Sequence, residues 1–257
     1  MILRVLLVSV LLVWSTLGFA SDASINRCNG ILKNLINDQK LRDRLLEQIK
    51  TSLNIQTGKG FVLLDTATQL SKEIFDPIFS SLEKGSFFKF TPSRENHQHQ
   101  FRRGDDASKL KQITEVDNSF PKDFISFVFD HGKWIESLLN QALKPHEQYV
   151  IDYVEVRTQD GKVGLPWNSA GQITHEDGGY LTVTTAVIGS GTIFTEHSNS
   201  IYDKSPYKYT QVLRGQTLII TGLERAEKFP QNRATLHHAP EEKQDRLLFL
   251  VRFKPRR

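Results

Sequence analysis

In the first half of the chain apolar residues recur at helical intervals, whereas in the second half they gather into short β-branched and aromatic runs. From Ala23 to Leu53, the residues Ile31, Leu32, Leu35, Ile36, Leu45, Leu46, Ile49 and Leu53 fall largely three or four apart among charges. That spacing predicts an amphipathic helix or helix pair. Thr57-Gly-Lys-Gly60 breaks it, and Phe61-Val-Leu-Leu64 predicts a short buried strand. Thr66 to Glu83 reads as a second helix with a break at Asp76-Pro77, and the polar, His/Arg-rich stretch from Ser93 to Ser108 as a loop. A third helix is expected over Pro121 to Leu143, with Phe124, Phe127, Trp134, Leu138 and Leu139 on one side and Lys144-Pro145 ending it.

After that the period changes. Tyr149–Val156, Tyr180–Ile188, Gly191–Thr195, Gln211–Leu213, Gln216–Thr221 and Arg246–Phe253 are rich in Val, Ile, Thr, Leu and aromatics and are separated by Gly, Pro, Asn and Asp. Such runs predict a meander of strands. Helices followed by strands give an α+β class, with N-terminal helices packed on a C-terminal double-stranded β-helix, or jelly roll. No internal repeat or low-complexity tract interrupts the chain.

The first twenty residues alter this picture. Arg4, an apolar run from Val5 to Trp14 and small residues at Leu17-Gly-Phe-Ala20 have the layout of a cleaved signal peptide, so residues 1–20 are read as a leader and the protein as secreted or periplasmic. The run is too short to span a bilayer, and no membrane contact is expected after cleavage. Residues 21–257 then suit one domain, with residues 21–146 mainly helical and 147–257 forming the jelly-roll core. Cys28 is the only cysteine, so no intramolecular disulfide can form; it reads as an ordinary helix residue. The net charge of +4 is spread among acids except at Arg252-Phe-Lys-Pro-Arg-Arg257, which reads as a solvated tail. No basic stripe interleaved with aromatics indicates nucleic acid.

Candidate chemistry centres on His175-Glu-Asp177 and His237, which lie just before strands and are separated by short β segments that a rolled sheet can bring together. Two imidazoles and one carboxylate on one face of an iron ion leave three positions open for a bidentate co-substrate and dioxygen; zinc tolerates the same ligands. His-x-Asp alone is a weak signal, and its context strengthens it: Glu176-Asp-Gly-Gly-Tyr-Leu-Thr-Val-Thr184, Gly215-Gln-Thr-Leu-Ile-Ile220, Leu236-His-His-Ala-Pro240 and Asp245-Arg-Leu-Leu-Phe-Leu250.

With these motifs the sequence resembles the iron(II)- and 2-oxoglutarate-dependent dioxygenase superfamily, particularly its isopenicillin-N-synthase-like branch. Gly60-Phe-Val-Leu-Leu64, Phe87-Phe-Lys-Phe90 and the helix from Phe120 extend the likeness upstream. The resemblance implies Fe(II) held by His175, Asp177 and His237, and 2-oxoglutarate chelated to the metal. It also implies that Arg246, nine residues past His237, holds the distal carboxylate. Tyr153 is a candidate second partner for that carboxylate. The implied reaction is oxidation or hydroxylation of a small molecule or peptide by dioxygen, coupled to decarboxylation of 2-oxoglutarate. Position 238 is His where the family commonly has Arg, which leaves His238 open as the distal ligand, and Leu248 stands where many relatives have Ser.

Other readings make the chain a zinc hydrolase or another 2-oxoglutarate-independent metal enzyme, which would show a general base near metal-bound water. A non-catalytic jelly-roll binding protein would keep its ligand after metal removal. His97 and His99 read as polar-loop residues, and His131, His146 and His197 as surface or capping residues. Trp167 could line the substrate pocket or cover a core edge, Glu176 faces solvent or substrate, and Arg157 shares that ambiguity.

Overall fold

The computed structural model describes residues 26, 30, 32–66, 72–81, 87–90, 99–102, 111–113, 122–159, 175–195, 208–240 and 244–256. The leader, Cys28, His97, Trp167 and His197 lie outside them.

The N-terminal apolar pattern resolves into two helical pieces, residues 32–37 and α1 (Gln39–Ser52). Asp38 separates them: its carboxylate accepts from the Leu41 amide at 3.0 Å, satisfying one of the amides that a helix start leaves free. Leu41, Leu45 and Ile49 form the buried stripe of α1. Helix α2 (Lys72–Ser81) runs through Asp76-Pro77, where a break was expected. Burial of Phe75, Ile78 and Phe79 offsets the backbone bond that the proline cannot make. Helix α3 (Lys122–Ala142) and the six-residue α4 (Leu223–Lys228) complete the helices described.

Among the described residues, eleven strands form two antiparallel sheets. They are β1 (Phe61–Leu64), β2 (Phe87–Phe90), β3 (His99–Arg102), β4 (Lys111–Ile113), β5 (Tyr149–Gln159), β6 (Leu181–Ile188), β7 (Ile193–Thr195), β8 (Tyr209–Gln211), β9 (Thr217–Thr221), β10 (His237–His238) and β11 (Arg246–Pro255). The large sheet has the order β1-β9-β6-β11-β5-β2-β3-β4 and the small one β10-β7-β8. One expectation is corrected here: the polar stretch around residue 99, read as a loop, contains the strand β3. The part of the chain before residue 147 carries β1 to β4 beside its helices.

The two-residue period of a strand sorts the large sheet into two faces. On β11, Leu247, Phe249, Val251 and Phe253 join the main apolar core, while Arg246, Leu248, Leu250 and Arg252 line a cavity. On β6, Leu181 and Val183 go to the core, and Thr182 and Thr184 to the cavity. Ile219 of β9 faces the core, whereas Leu218 and Ile220 pack with Phe194 and Val212 beside the small sheet. Buried side chains of α1, α2 and α3 share the main core. The cavity therefore lies on the opposite face of the large sheet from the helix-side core, where β10, Thr192 just before β7 and the segment at His175 wall it in. Among the described residues no helix is long and apolar enough to cross a membrane.

His131, read from its polar neighbours as a surface or capping residue, is 1% exposed. The helical period places it on the α3 stripe with Phe127, Trp134 and Leu138, and its ring lies 5.9 Å from that of Trp134 and 6.3 Å from that of Phe249. Neither ring nitrogen has a hydrogen-bond partner, and burial pushes its pKa down to about 4. The native state thus holds the neutral form, whereas the unfolded chain takes up a proton near 6.5. The stabilisation is present above pH 6.5 and lost as pH falls toward 4, by up to about 3 kcal/mol. Chemical denaturation between pH 7 and 4 should show this loss, and His131→Leu should flatten it; an unchanged slope in the variant would assign the acid sensitivity elsewhere.

Candidate active site

Both histidines of the expected triad are fixed by backbone pairing. The His175 amide donates to the His237 carbonyl at 3.0 Å and the His237 amide to the His175 carbonyl at 2.9 Å, an antiparallel bridge that sets the two rings 4.4 Å apart. Asp177 arrives two residues later, on the turn before β6. The turn is pinned by the start of α4: the Leu223 amide donates to the Asp177 carbonyl at 2.8 Å and the Gly222 amide to the Tyr180 carbonyl at 2.9 Å. Gly222 is required for this approach, since a Cβ there would lie 2.0 Å from the Gly179 carbonyl oxygen.

One ligand atom from each of His175, Asp177 and His237 lies within 4.8 Å of the other two. The His237 Nδ1 faces the Thr235 carbonyl at 3.1 Å. A carbonyl only accepts, so Nδ1 carries the proton and Nε2 presents its lone pair toward Asp177 Oδ2, 3.8 Å away. His238 also lines the cavity but stands outside that cluster: its Nδ1 faces the Ala239 carbonyl at 2.8 Å and its ring meets Tyr209 edge-on. The donor set of two imidazoles and one carboxylate oxygen fits a first-row divalent metal such as Fe(II).

The electrostatics favour a cation there. Burial alone would raise the Asp177 carboxyl, but His237, the Arg252 guanidinium and the Thr182 hydroxyl hold it below the usual carboxylate range. Burial likewise lowers the pKa of His237, against the pull of Asp177, which favours the neutral ring a metal needs. Arg252 Nη2 donates to Asp177 Oδ1 at 2.7 Å, so this oxygen is occupied and Oδ2 faces His237. Arg252 was read as part of a solvated tail; β11 instead turns it inward. Among the described residues of the tail, Lys254 pairs with Asp152 and Arg256 with Glu136 on the surface.

The cavity beside the triad has a volume of about 250 Å³ and is bounded by β5, β6, β10 and β11. Arg246 lines it, donating from Nε to the Ser190 carbonyl at 2.7 Å and from Nη1 to Gln159 Oε1 at 3.4 Å. Burial, with nearby Arg157, lowers its pKa to about 10 without discharging it. No carboxylate pairs with Arg246 among the described residues. Arg157 also lines the cavity, but Glu155 holds it at 2.6 Å. Tyr153 does not reach the Arg246 end. It is paired in register with Arg252, whose guanidinium lies 5.8 Å from its ring centroid, whereas Gln159 stands opposite Arg246. Burial and Glu155 raise the Tyr153 hydroxyl to about 12. Glu176 is half-buried, and burial raises its carboxyl pKa.

Sequence reasoning missed Arg252, Thr182 and Gln159. The alternation along β11 carried the signal for Arg252, which lies an even number of residues from Arg246 and so on the same face.

No protein-family model matches the sequence, and no curated protein matches it. Among solved structures, the chain is similar to a Trichoplax adhaerens prolyl hydroxylase in complex with a peptide of the hypoxia-inducible-factor oxygen degradation domain, at 14% identity and TM-score 0.49, covering 84% of this chain and 90% of that one. A full-length Neurospora crassa protein in complex with alpha-KG gives 12%, 0.47, 85% and 80% for the same quantities. A Burkholderia pseudomallei oxidoreductase of the 2OG-Fe(II) oxygenase family gives 9%, 0.44, 82% and 89%. At this level of likeness the chemistry has to rest on the chain's own residues.

Proposed function

We propose that the protein is a non-heme Fe(II) oxygenase built on a double-stranded β-helix, coupling decarboxylation of 2-oxoglutarate to oxidation or hydroxylation of a small molecule or peptide. The supporting observation is the pairing of two features in one cavity: a metal-type triad, and a buried arginine with no acidic partner among the described residues. An uncompensated buried cation is costly, and a dianionic co-substrate anchored at the metal by one end would neutralise it with the other.

In this reading His175, Asp177 through Oδ2 and His237 through Nε2 hold the metal. Fe(II), with 2-oxoglutarate as electron donor, supplies the activation of dioxygen. The protein supplies orientation and exclusion of water. The Thr235 carbonyl fixes the His237 tautomer, Arg252 keeps one oxygen of Asp177 occupied, and Arg246 receives the distal carboxylate with Gln159 beside it. The leader read in residues 1–20 assigns this chemistry to an exported compartment.

The test is an anaerobic titration of metal-free protein with ferrous iron and then 2-oxoglutarate, following the visible charge-transfer absorption of their chelate. A saturable band that disappears in His175→Ala is expected. Iron binding without the band would replace 2-oxoglutarate by another co-substrate, and no iron binding would end the oxygenase reading.

A further inference from the structure

Away from the cavity, Arg225 of α4 is completely buried, and all five of its N–H donors are placed. Nε donates to Glu147 Oε1 and the Tyr149 hydroxyl, each at 3.1 Å; Nη2 to Glu147 Oε2 at 2.7 Å and the Leu53 carbonyl at 2.8 Å; Nη1 to Asn232 Oδ1 at 2.8 Å and Thr221 Oγ1 at 3.2 Å. Tyr149 donates to Glu147, and the Asn232 side-chain Nδ2 to the Asn54 carbonyl. One guanidinium therefore joins the end of α1, the segment before β5, the end of β9 and the turn after α4.

Two short backbone routes lead from this hub to the metal triad. In the first, the residues just before Arg225 hold the Asp177 turn through the Leu223 and Gly222 amides, with no room for a side chain at position 222. The second passes through Thr221, whose carbonyl accepts the Thr235 amide at 3.0 Å; the Thr235 carbonyl in turn faces His237 Nδ1. Thr235 Oγ1 and the Thr221 amide both donate to the Gly60 carbonyl, at 3.0 and 2.7 Å, locking these segments together.

We infer that Arg225 is a positioning residue for the metal site, a buried hub that holds the Asp177 turn and the His237 segment in mutual register. The inference rests on the metal-site reading above. A hub of this kind acts on ligand geometry, so its loss changes metal affinity and coordination as well as stability.

The experiment compares the full chain with Arg225→Lys, with the paired apolar variant Arg225→Met/Glu147→Met, and with Leu45→Ala, a core truncation in α1 remote from the triad. Arg225→Lys keeps the charge but has too few donors for every partner. The paired variant removes the buried charges together, so that neither is left alone. Co(II) affinity and the Co(II) visible spectrum are measured on folded protein, with amide exchange at Leu223 and Thr235 in the metal-free state. Weakening of Co(II) binding by about 10–100-fold, an altered spectrum and faster exchange at both amides are expected in the Arg225 variants, while Leu45→Ala changes none of them. Wild-type affinity and spectrum in a folded Arg225 variant would overturn the inference and leave Arg225 a purely structural residue. Failure of the parent metal reading looks different: the unmodified chain and Asp177→Ala would bind Co(II) equally weakly. Unchanged exchange at Leu223 and Thr235 would then overturn the hub as well.

Discussion

Replacing Asp177 by Asn should abolish tight iron binding and oxygen-dependent turnover while leaving the fold in place. The amide keeps the carboxylate's shape, and its oxygen can still accept from Arg252, so the turn before β6 keeps its contacts. What is lost is the negative charge. In the native site that charge survives burial because His237, Arg252 and the Thr182 hydroxyl outweigh desolvation. Without it a divalent cation meets two imidazoles and an adjacent guanidinium, with no anionic ligand among the three. The loss of affinity should exceed the roughly 10–100-fold that follows removal of a supporting partner. Thermal denaturation with and without ferrous iron gives the check. Ligand at about 100 times its Kd stabilises by about 2.7 kcal/mol, and that upward shift should vanish in Asp177→Asn. The metal-free parent should be the more stable protein at neutral pH, and the two should converge as the solution is made acidic. A carboxyl held below its ordinary value stabilises the fold above the unfolded carboxylate pKa, and this contribution fades as pH falls through the folded value. An Asp177→Asn variant that binds iron within about tenfold of the parent would remove Asp177 from the ligand set.

The elements most legible in the sequence were those whose period is reinforced by burial. The α3 stripe, the β-rich run of β6 and the apolar β11 each carry their core residues at one repeat, and the structure keeps them close to the expected bounds. Less legible elements broke the usual link between polarity and exposure. Helix α4 reads Leu-Glu-Arg-Ala-Glu-Lys, yet its leucine is exposed and its arginine completely buried, because a satisfied guanidinium can serve as a core residue when five donors find acceptors. β8 lies two residues earlier than its apolar run suggested, since Leu213 is 62% exposed and belongs to a turn held by the Gln216 side chain. His131 failed in the opposite sense: its immediate neighbours are polar, but its helical neighbours are aromatic. At the site, residue types suggested the triad, whereas its supports did not show in the sequence. The Thr235 carbonyl, the Leu223 amide and the Gly222 approach are backbone features, and no side-chain pattern announces them.

Replacing Arg246 by Met should separate stability from function. In the ligand-free protein the guanidinium is buried against a carbonyl and a glutamine, with Arg157 adding repulsion and no acid opposing it among the described residues. Filling that volume with an apolar chain should leave stability unchanged or raise it by about 1 kcal/mol or more, as when buried charges yield to well-packed hydrophobic groups. Co-substrate binding should respond in the other direction. Loss of a buried, charge-assisted contact costs about 2–5 kcal/mol, equivalent to roughly 30- to 5,000-fold in affinity for 2-oxoglutarate. Iron affinity in its absence should stay near that of the parent. Arg246→Lys should fall between, because the ammonium restores charge but not the planar fork. Calorimetric titration of the iron-loaded protein with 2-oxoglutarate, beside denaturant unfolding of the metal-free protein, measures both halves. Full 2-oxoglutarate affinity in the Met variant would move the distal carboxylate elsewhere, with Arg157 the next cation on the cavity wall. A large drop in metal-free stability would show that Arg246 holds β11 against Gln159 and the Ser190 carbonyl for the sake of the fold rather than for a ligand.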